Sequence, residues 1–226
     1  MIPKPLIETI SRRPTFSKQE YTTLTRKLRS WVKEAEGKSY FITRKIFHQY
    51  FLVLANTGMR IGELRNVTWN DLPKKTETDH LICKVDGKVG KREIVIQNNA
   101  EVYFETLYEF RKDFLGETPN SNEVIFINYK TNEPFLSFKK SFKSLLQYAG
   151  VNVIKDGMNR SLYSLRHYYA TRKIRDDEIS VYLLAQQMGT SVKMIEQYYG
   201  HIITSDVANK IGQTSTNLKV KRSNTA

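Results

Sequence analysis

Cysteine is almost absent: Cys83 is the single thiol in 226 residues. One thiol makes no internal disulfide and supplies no second ligand to a thiolate metal site, so a reducing compartment is expected and Cys83 reads as a core residue. Histidine is scarce too, with four in the chain, and no group of Cys, His or carboxylates has metal-ligand spacing, so no metal cofactor is expected. Long apolar runs are missing. The longest, near Phe51 to Ala55, falls far below the roughly 20 residues that cross a bilayer, and nothing at the start has the pattern of a signal peptide. Repeats, low-complexity blocks and linkers are lacking between Ser17 and Asn209, which argues for one domain. Together these absences predict a soluble, cytoplasmic protein with no membrane partner. Negative charge is the last shortage: 23 acidic residues face 36 basic ones, a formal charge of +13. An excess of that size implies an anionic partner such as nucleic acid, although a ribosomal or membrane-surface protein would carry it as well.

What is present predicts a folded, mainly helical chain. Hydrophobic residues make up 40% of it, enough for a core. Residues 1–15 hold two early prolines and the cluster Arg12-Arg13-Pro14, which reads as an extended basic leader. Ser17 followed by Glu20 is a capping-box pattern, and Tyr21, Leu24, Leu28, Trp31 and Val32 recur behind it at helical spacing. A second helix is predicted from about Thr43 to Gly58, a glycine suited to a left-handed stop. His80 to Val85 and Arg92 to Gln97 are short and β-branched around Asp86-Gly87, which predicts a hairpin with Lys88 and Lys91 at an exposed tip. Further helices are expected at about 100–114, 136–150, 164–175, 179–188, 192–198 and 205–210, with one short strand at 124–127. The expected fold class is mainly α with a small antiparallel β-hairpin, α+β.

Three segments could carry chemistry. In Thr57-Gly58-Met59-Arg60-Ile61-Gly62-Glu63-Leu64 a turn between helices displays an arginine. A planar guanidinium holds two phosphate oxygens at once, and Glu63, one turn on, could orient it. A surface Arg-Glu pair at a helix start is the plain alternative. In Ser161-Leu162-Tyr163-Ser164-Leu165-Arg166-His167 and the residues that follow, Tyr163, Arg166 and Ala170 share one helix face while Leu162, Leu165 and Tyr169 turn inward. Arg166 is therefore expected to project from a rigid support, or else to be a solvated helix arginine. His167 reads as a satisfied core histidine. From Met188-Gly189-Thr190 to Tyr198-Tyr199-Gly200-His201 a short helix ends in two tyrosines. A phenol with a pKa of about 10 needs cationic neighbours to act as a nucleophile near neutral pH, and two arginines could supply them. Ordinary packing tyrosines are the alternative.

In order and spacing, these segments resemble the three signature boxes of the tyrosine recombinases, or phage integrases, and Asp86-Gly87-Lys88-Val89-Gly90-Lys91-Arg92-Glu93 resembles that family's lysine-bearing hairpin. The resemblance runs from about Arg13 to His201. It implies a catalytic-domain fold at 16–204, a C-terminal helix and tail at 205–226 that docks on a neighbouring protomer, and site-specific breaking and rejoining of double-stranded DNA by a homo-tetramer. Residue by residue it makes Arg60 and Arg166 the phosphate-binding arginines, Tyr199 the nucleophile with Tyr198 as the other register, and Lys88 the general acid with Lys91 as fallback. It implies no metal, nucleotide or other cofactor for the chemistry. Two positions depart from the commonest family pattern: Tyr163 stands where most members carry histidine, and Thr190 where most carry histidine or tryptophan. Both can donate a hydrogen bond to a phosphate oxygen, but neither is a good base near neutral pH. That leaves the proton acceptor of Tyr199 open, and with it the alternative of a DNA-binding module that has kept the fold and lost cleavage.

Overall fold

Ser17 and Glu20 form the reciprocal cap that the sequence predicts. The Glu20 amide donates to Ser17 Oγ at 3.1 Å and the Ser17 amide donates to Glu20 Oε2 at 2.8 Å, which closes the amino end of α1 (Lys18–Lys33). The structure is a computed structural model that describes residues 14–72, 81–87, 90–176 and 179–200, and all of their side chains except those of residues 98 and 99. The expected leader, the helix at 205–210, Lys88 and His201 lie wholly or largely outside the described residues.

Behind α1 come α2 (Phe41–Thr57), α3 (Ile61–Asn66) and a 3₁₀ turn at Trp69–Asp71. The hairpin of β1 (Leu81–Gly87) and β2 (Gly90–Ile96) follows, then α4 (Asn98–Leu115). Two minimal ladders, β3 (Ile127–Asn128) with β4 (Glu133–Pro134) and β5 (Ile154–Lys155) with β6 (Met158–Asn159), flank α5 (Lys139–Tyr148). The chain continues through α6 (Tyr163–Arg175) and α7 (Val181–Met188) to α8, helical over 192–200. The mainly helical α+β reading holds. The strand expected at 124–127 does not form as one strand. Val124 makes an isolated bridge to Thr68, Ile125 donates to Val67 O, and only Ile127 and Asn128 pair with β4. Ile125, Phe126 and Ile127 are all buried, but their backbone partners come from separate segments, so no continuous ladder can run along them.

α2 is the central helix. From Ile46 to Thr57 most of its side chains are buried, because α1, α4, α5, α6 and the hairpin all pack on it. It stops at Gly58, whose φ of +67° is left-handed. A Cβ at that position would also lie 2.7 Å from Cε1 of Tyr169. Gly58→Ala is therefore expected to cost about 2 to 5 kcal/mol, from roughly 1–2 for the left-handed backbone and roughly 1–3 for overpacking. Urea unfolding measures it, and a loss of only about 1–2 kcal/mol, the backbone part alone, would mean that the Tyr169 ring gives way.

Among the described residues two apolar cores result. The larger takes in α1, α2, the hairpin, α4, α5 and the start of α6; the smaller joins Tyr169, Ala170, Leu184, Ala185, Met188, Ile195 and Tyr199. α6 is the wall between them. Its cap Leu162, with Leu165 and Tyr168, goes to the first core and Tyr169 and Ala170 go to the second, which leaves the turns behind Tyr163 no solvent face. Every residue from Ser164 to Thr171 is buried, Arg166 among them at 3% exposure. Arg166 stands on the packed, rigid support expected of it and is not the solvated helix arginine of the alternative reading, because it is enclosed between two packed layers.

Candidate active site

A buried guanidinium needs acceptors, and α7 supplies them. A helix end leaves carbonyl oxygens without intrahelical partners and carries partial negative charge. At the end of α7 three successive carbonyls are each taken by an arginine. Arg92 Nη1 donates to Gln187 O at 2.8 Å, Arg166 Nη2 donates to Met188 O at 2.7 Å, and Arg60 Nη2 donates to Gly189 O. Arg166 Nη1 also donates to Gly58 O, the carbonyl at the end of α2. Both glycines are left-handed helix stops, with φ of +67° at Gly58 and +61° at Gly189. At Gly189 a Cβ would sit 2.9 Å from Cδ of Arg92, so a glycine is needed there for closeness as well as for conformation. Arg60 and Arg166, 106 positions apart in the sequence, therefore meet on adjacent carbonyls.

Glu63 sets the other side of the cluster. Its Oε1 accepts from Arg60 Nη1 at 2.7 Å, and its Oε2 accepts from the Arg60 amide and from Arg92 Nη2, each at 2.8 Å. The orienting role expected of Glu63 toward Arg60 is present, and Glu63 is buried, so this is no solvated surface pair. Three guanidinium groups against one carboxylate leave an excess of two positive charges. Burial holds Arg166 below the ordinary arginine value, and the Arg60 charge lowers it further; burial and then Arg60 act on Arg92 in the same direction, against Glu63. Arginine does not give up its proton in a protein. An arriving anion would relieve the unfavourable field instead, as at an oxyanion site.

Tyr199 enters from the opposite wall. α8 places it in the smaller core at 6% exposure, with Oη 2.6 Å from His167 Nδ1. Burial pushes its phenol well above the ordinary tyrosine value, while the Arg166 charge pulls it back in part. Tyr163, Arg166, His167, Thr190, Tyr198 and Tyr199 line one cavity of about 140 Å³. Five of the six expected site residues are thus gathered: Tyr163, Arg166, Thr190 and Tyr199 around the cavity, and Arg60 on Gly189 O beside Thr190. Tyr198 is half-buried at the cavity edge, its ring centroid 6.2 Å from that of His167. The sixth residue, Lys88, lies outside the described residues. Its neighbour Gly87 pairs with Gly90 at the hairpin end and lies against Glu63, where a Cβ would come within 2.6 Å of Oε1.

Two residues take part that the sequence reading left in the background. Arg92 was legible in principle, because period-two alternation puts it on the same face of β2 as the buried Ile94 and Ile96. His167 is buried as expected of a core histidine, but its partner is Tyr199, 32 positions away. No local pattern announces that pair.

A family model described as the phage integrase family matches residues 15–205. No curated protein matches the chain. Among solved structures, XerA recombinase superposes with a TM-score of 0.64 at 18% identity, covering 90% of this chain and 67% of that one. XerH site-specific recombinase, in a post-cleavage complex with palindromic difH substrate, gives 0.64 at 16% identity over 87% of this chain and 52% of its own. Tn1549 transposon integrase in complex with transposon right-end DNA gives 0.63 at 16% identity over 91% and 67%. At these identities the likeness is one of fold. The chain spans between about half and two thirds of the length of these structures.

Proposed function

This chain belongs to the phage integrase family, and we propose that it cuts and rejoins double-stranded DNA at specific sites through a 3′-phosphotyrosine intermediate. In this reading Arg60 and Arg166 bind the non-bridging oxygens of the scissile phosphate, and Tyr199 Oη attacks phosphorus. The 5′-oxygen leaves with a proton from Lys88, or from Lys91 in its place. Tyr163 and Thr190 donate hydrogen bonds to phosphate oxygens. Because no water takes part, the phosphodiester bond energy is kept in the phosphotyrosine until a 5′-hydroxyl reverses the step. Two fixed guanidinium groups supply the charge stabilisation, so the reading assigns no metal and no nucleotide cofactor. Four protomers on two duplexes would complete strand exchange.

One observation carries the reading: Arg60 and Arg166 converge on adjacent carbonyls at the end of α7, with the Tyr199 oxygen in the cavity beside them. The hairpin adds to it, since Gly87, the residue before Lys88, rests against the carboxylate that holds Arg60.

The test is covalent capture. A library of nicked duplexes, randomised around the nick, is offered to the full chain; cleavage frees a short fragment ending in a 5′-hydroxyl, which diffuses away and strands protein on DNA. An adduct that survives SDS, with one sequence enriched, is the expected result. Salt-sensitive binding with no adduct would instead favour the binding-only alternative.

A further inference from the structure

We propose that His167 is the proton acceptor for Tyr199. The inference rests on the cleavage reading above and fills the role that Tyr163 and Thr190 leave vacant. It stands on geometry: the two side chains are buried, they come from different elements, and Nδ1 lies 2.6 Å from Oη, within the reach required of a general base. Tyr163 packs edge-on against the imidazole, with ring centroids 5.0 Å apart and planes at 76°, which fixes the ring. α6 itself is held on both sides by packed cores, so the imidazole has a rigid base. A buried phenol is difficult to ionise in advance, which favours proton removal in step with attack.

The step balances without a co-reactant. Tyr199 Oη–H donates to the lone pair on Nδ1, and His167 becomes imidazolium as the Oη–P bond forms. The P–O5′ bond breaks, and the 5′-oxygen takes a proton from the general acid. On rejoining, the imidazolium returns its proton to the phenolate as the phosphotyrosine is resolved. Arg166, in the same cavity, stabilises the phenolate that forms.

The experiment uses the full chain and the duplex enriched by wild-type capture. His167→Asn puts an amide oxygen near the position of Nδ1, so it keeps an acceptor but takes no proton; His167→Gln serves as a second variant, and thermal melting checks the fold of each. Adduct formation should slow by about 10²- to 10⁴-fold in both. The pH dependence is the sharper readout. Among the described residues, the titratable groups that line the cavity with the ring are Tyr163 and Arg166 from α6 and Tyr198 and Tyr199 from α8; phenols and guanidinium groups titrate on the alkaline side. An acid limb, in which cleavage slows as the imidazole gains a proton, should be present in wild type and gone from both variants.

An independent measurement needs no variant at 167. In ¹⁵N-histidine-labelled protein the His167 Nδ1 resonance should move on Tyr199→Phe. A wild-type rate in His167→Asn, an acid limb that survives both substitutions, a rise in adduct yield, or an unmoved Nδ1 resonance would each overturn the role of His167 while the cleavage reading stands. Absence of any wild-type adduct would overturn both.

Discussion

Tyr199→Phe is expected to abolish the covalent adduct and to leave DNA affinity within a few-fold of wild type. The substitution removes one oxygen. In the resting protein that oxygen's recorded partner is His167, and loss of one such hydrogen bond costs about 1 kcal/mol, too little to unfold a domain of this size. DNA affinity should persist because nucleic-acid binding is spread over many phosphate contacts, and the chain has 36 basic residues to make them. The covalent product has no such reserve, since a phenyl ring has no nucleophile. Tyr198→Phe is the paired control. Tyr198 sits at the cavity edge in partial exposure, and its replacement should leave adduct formation close to wild type. If Tyr198→Phe alone loses the adduct, the assignment of the nucleophile is wrong.

Arg166→Ala is expected to lower the cleavage rate by about 10²- to 10³-fold, the scale of one oxyanion contact removed, and to lower stability at the same time. The two effects have separate causes. Cleavage suffers because the guanidinium no longer meets charge developing on the phosphate. Stability suffers because Gly58 O and Met188 O both lose their donor inside the protein, at roughly 1–3 kcal/mol for each buried group left unsatisfied. Arg60→Ala should lose cleavage to a similar degree but melt closer to wild type. Arg60 has a quarter of its side chain exposed, while Glu63 keeps Arg92 as a partner. Lysine should rescue neither variant fully, since a single ammonium cannot hold both acceptors, two carbonyls at Arg166 and a carbonyl with the Glu63 carboxylate at Arg60, and still offer a planar fork to phosphate. Rates should be compared well below the melting temperature of the weakest variant, with DNA affinity measured alongside. Equal losses in binding and cleavage would make these arginines DNA contacts, not transition-state clamps.

Gly58 illustrates how far one residue can be read from the sequence. A glycine at the end of a helical pattern announces a left-handed stop, and the stop is there. That its carbonyl serves Arg166 and its missing Cβ makes room for Tyr169 belongs to the contact of α2 with α6, more than 100 positions away. The same division runs through the site. Arg60 with Glu63 was legible because a helix brings residues three apart together. Arg92 had a period-two signal. The burial of Arg166 had none, because a helix with one apolar stripe looks the same in sequence whether or not a second core covers its other face.

The sequence alone determined the α+β class, the caps and turns, and the order in which arginine, lysine and tyrosine appear, because helix spacing and turn preferences act within a few residues. Tertiary structure decided which groups meet: three arginines on three carbonyls of α7, and a phenol on an imidazole. Those contacts depend on how two cores close around α6, and closure is set by the packing of side chains that are distant in the chain.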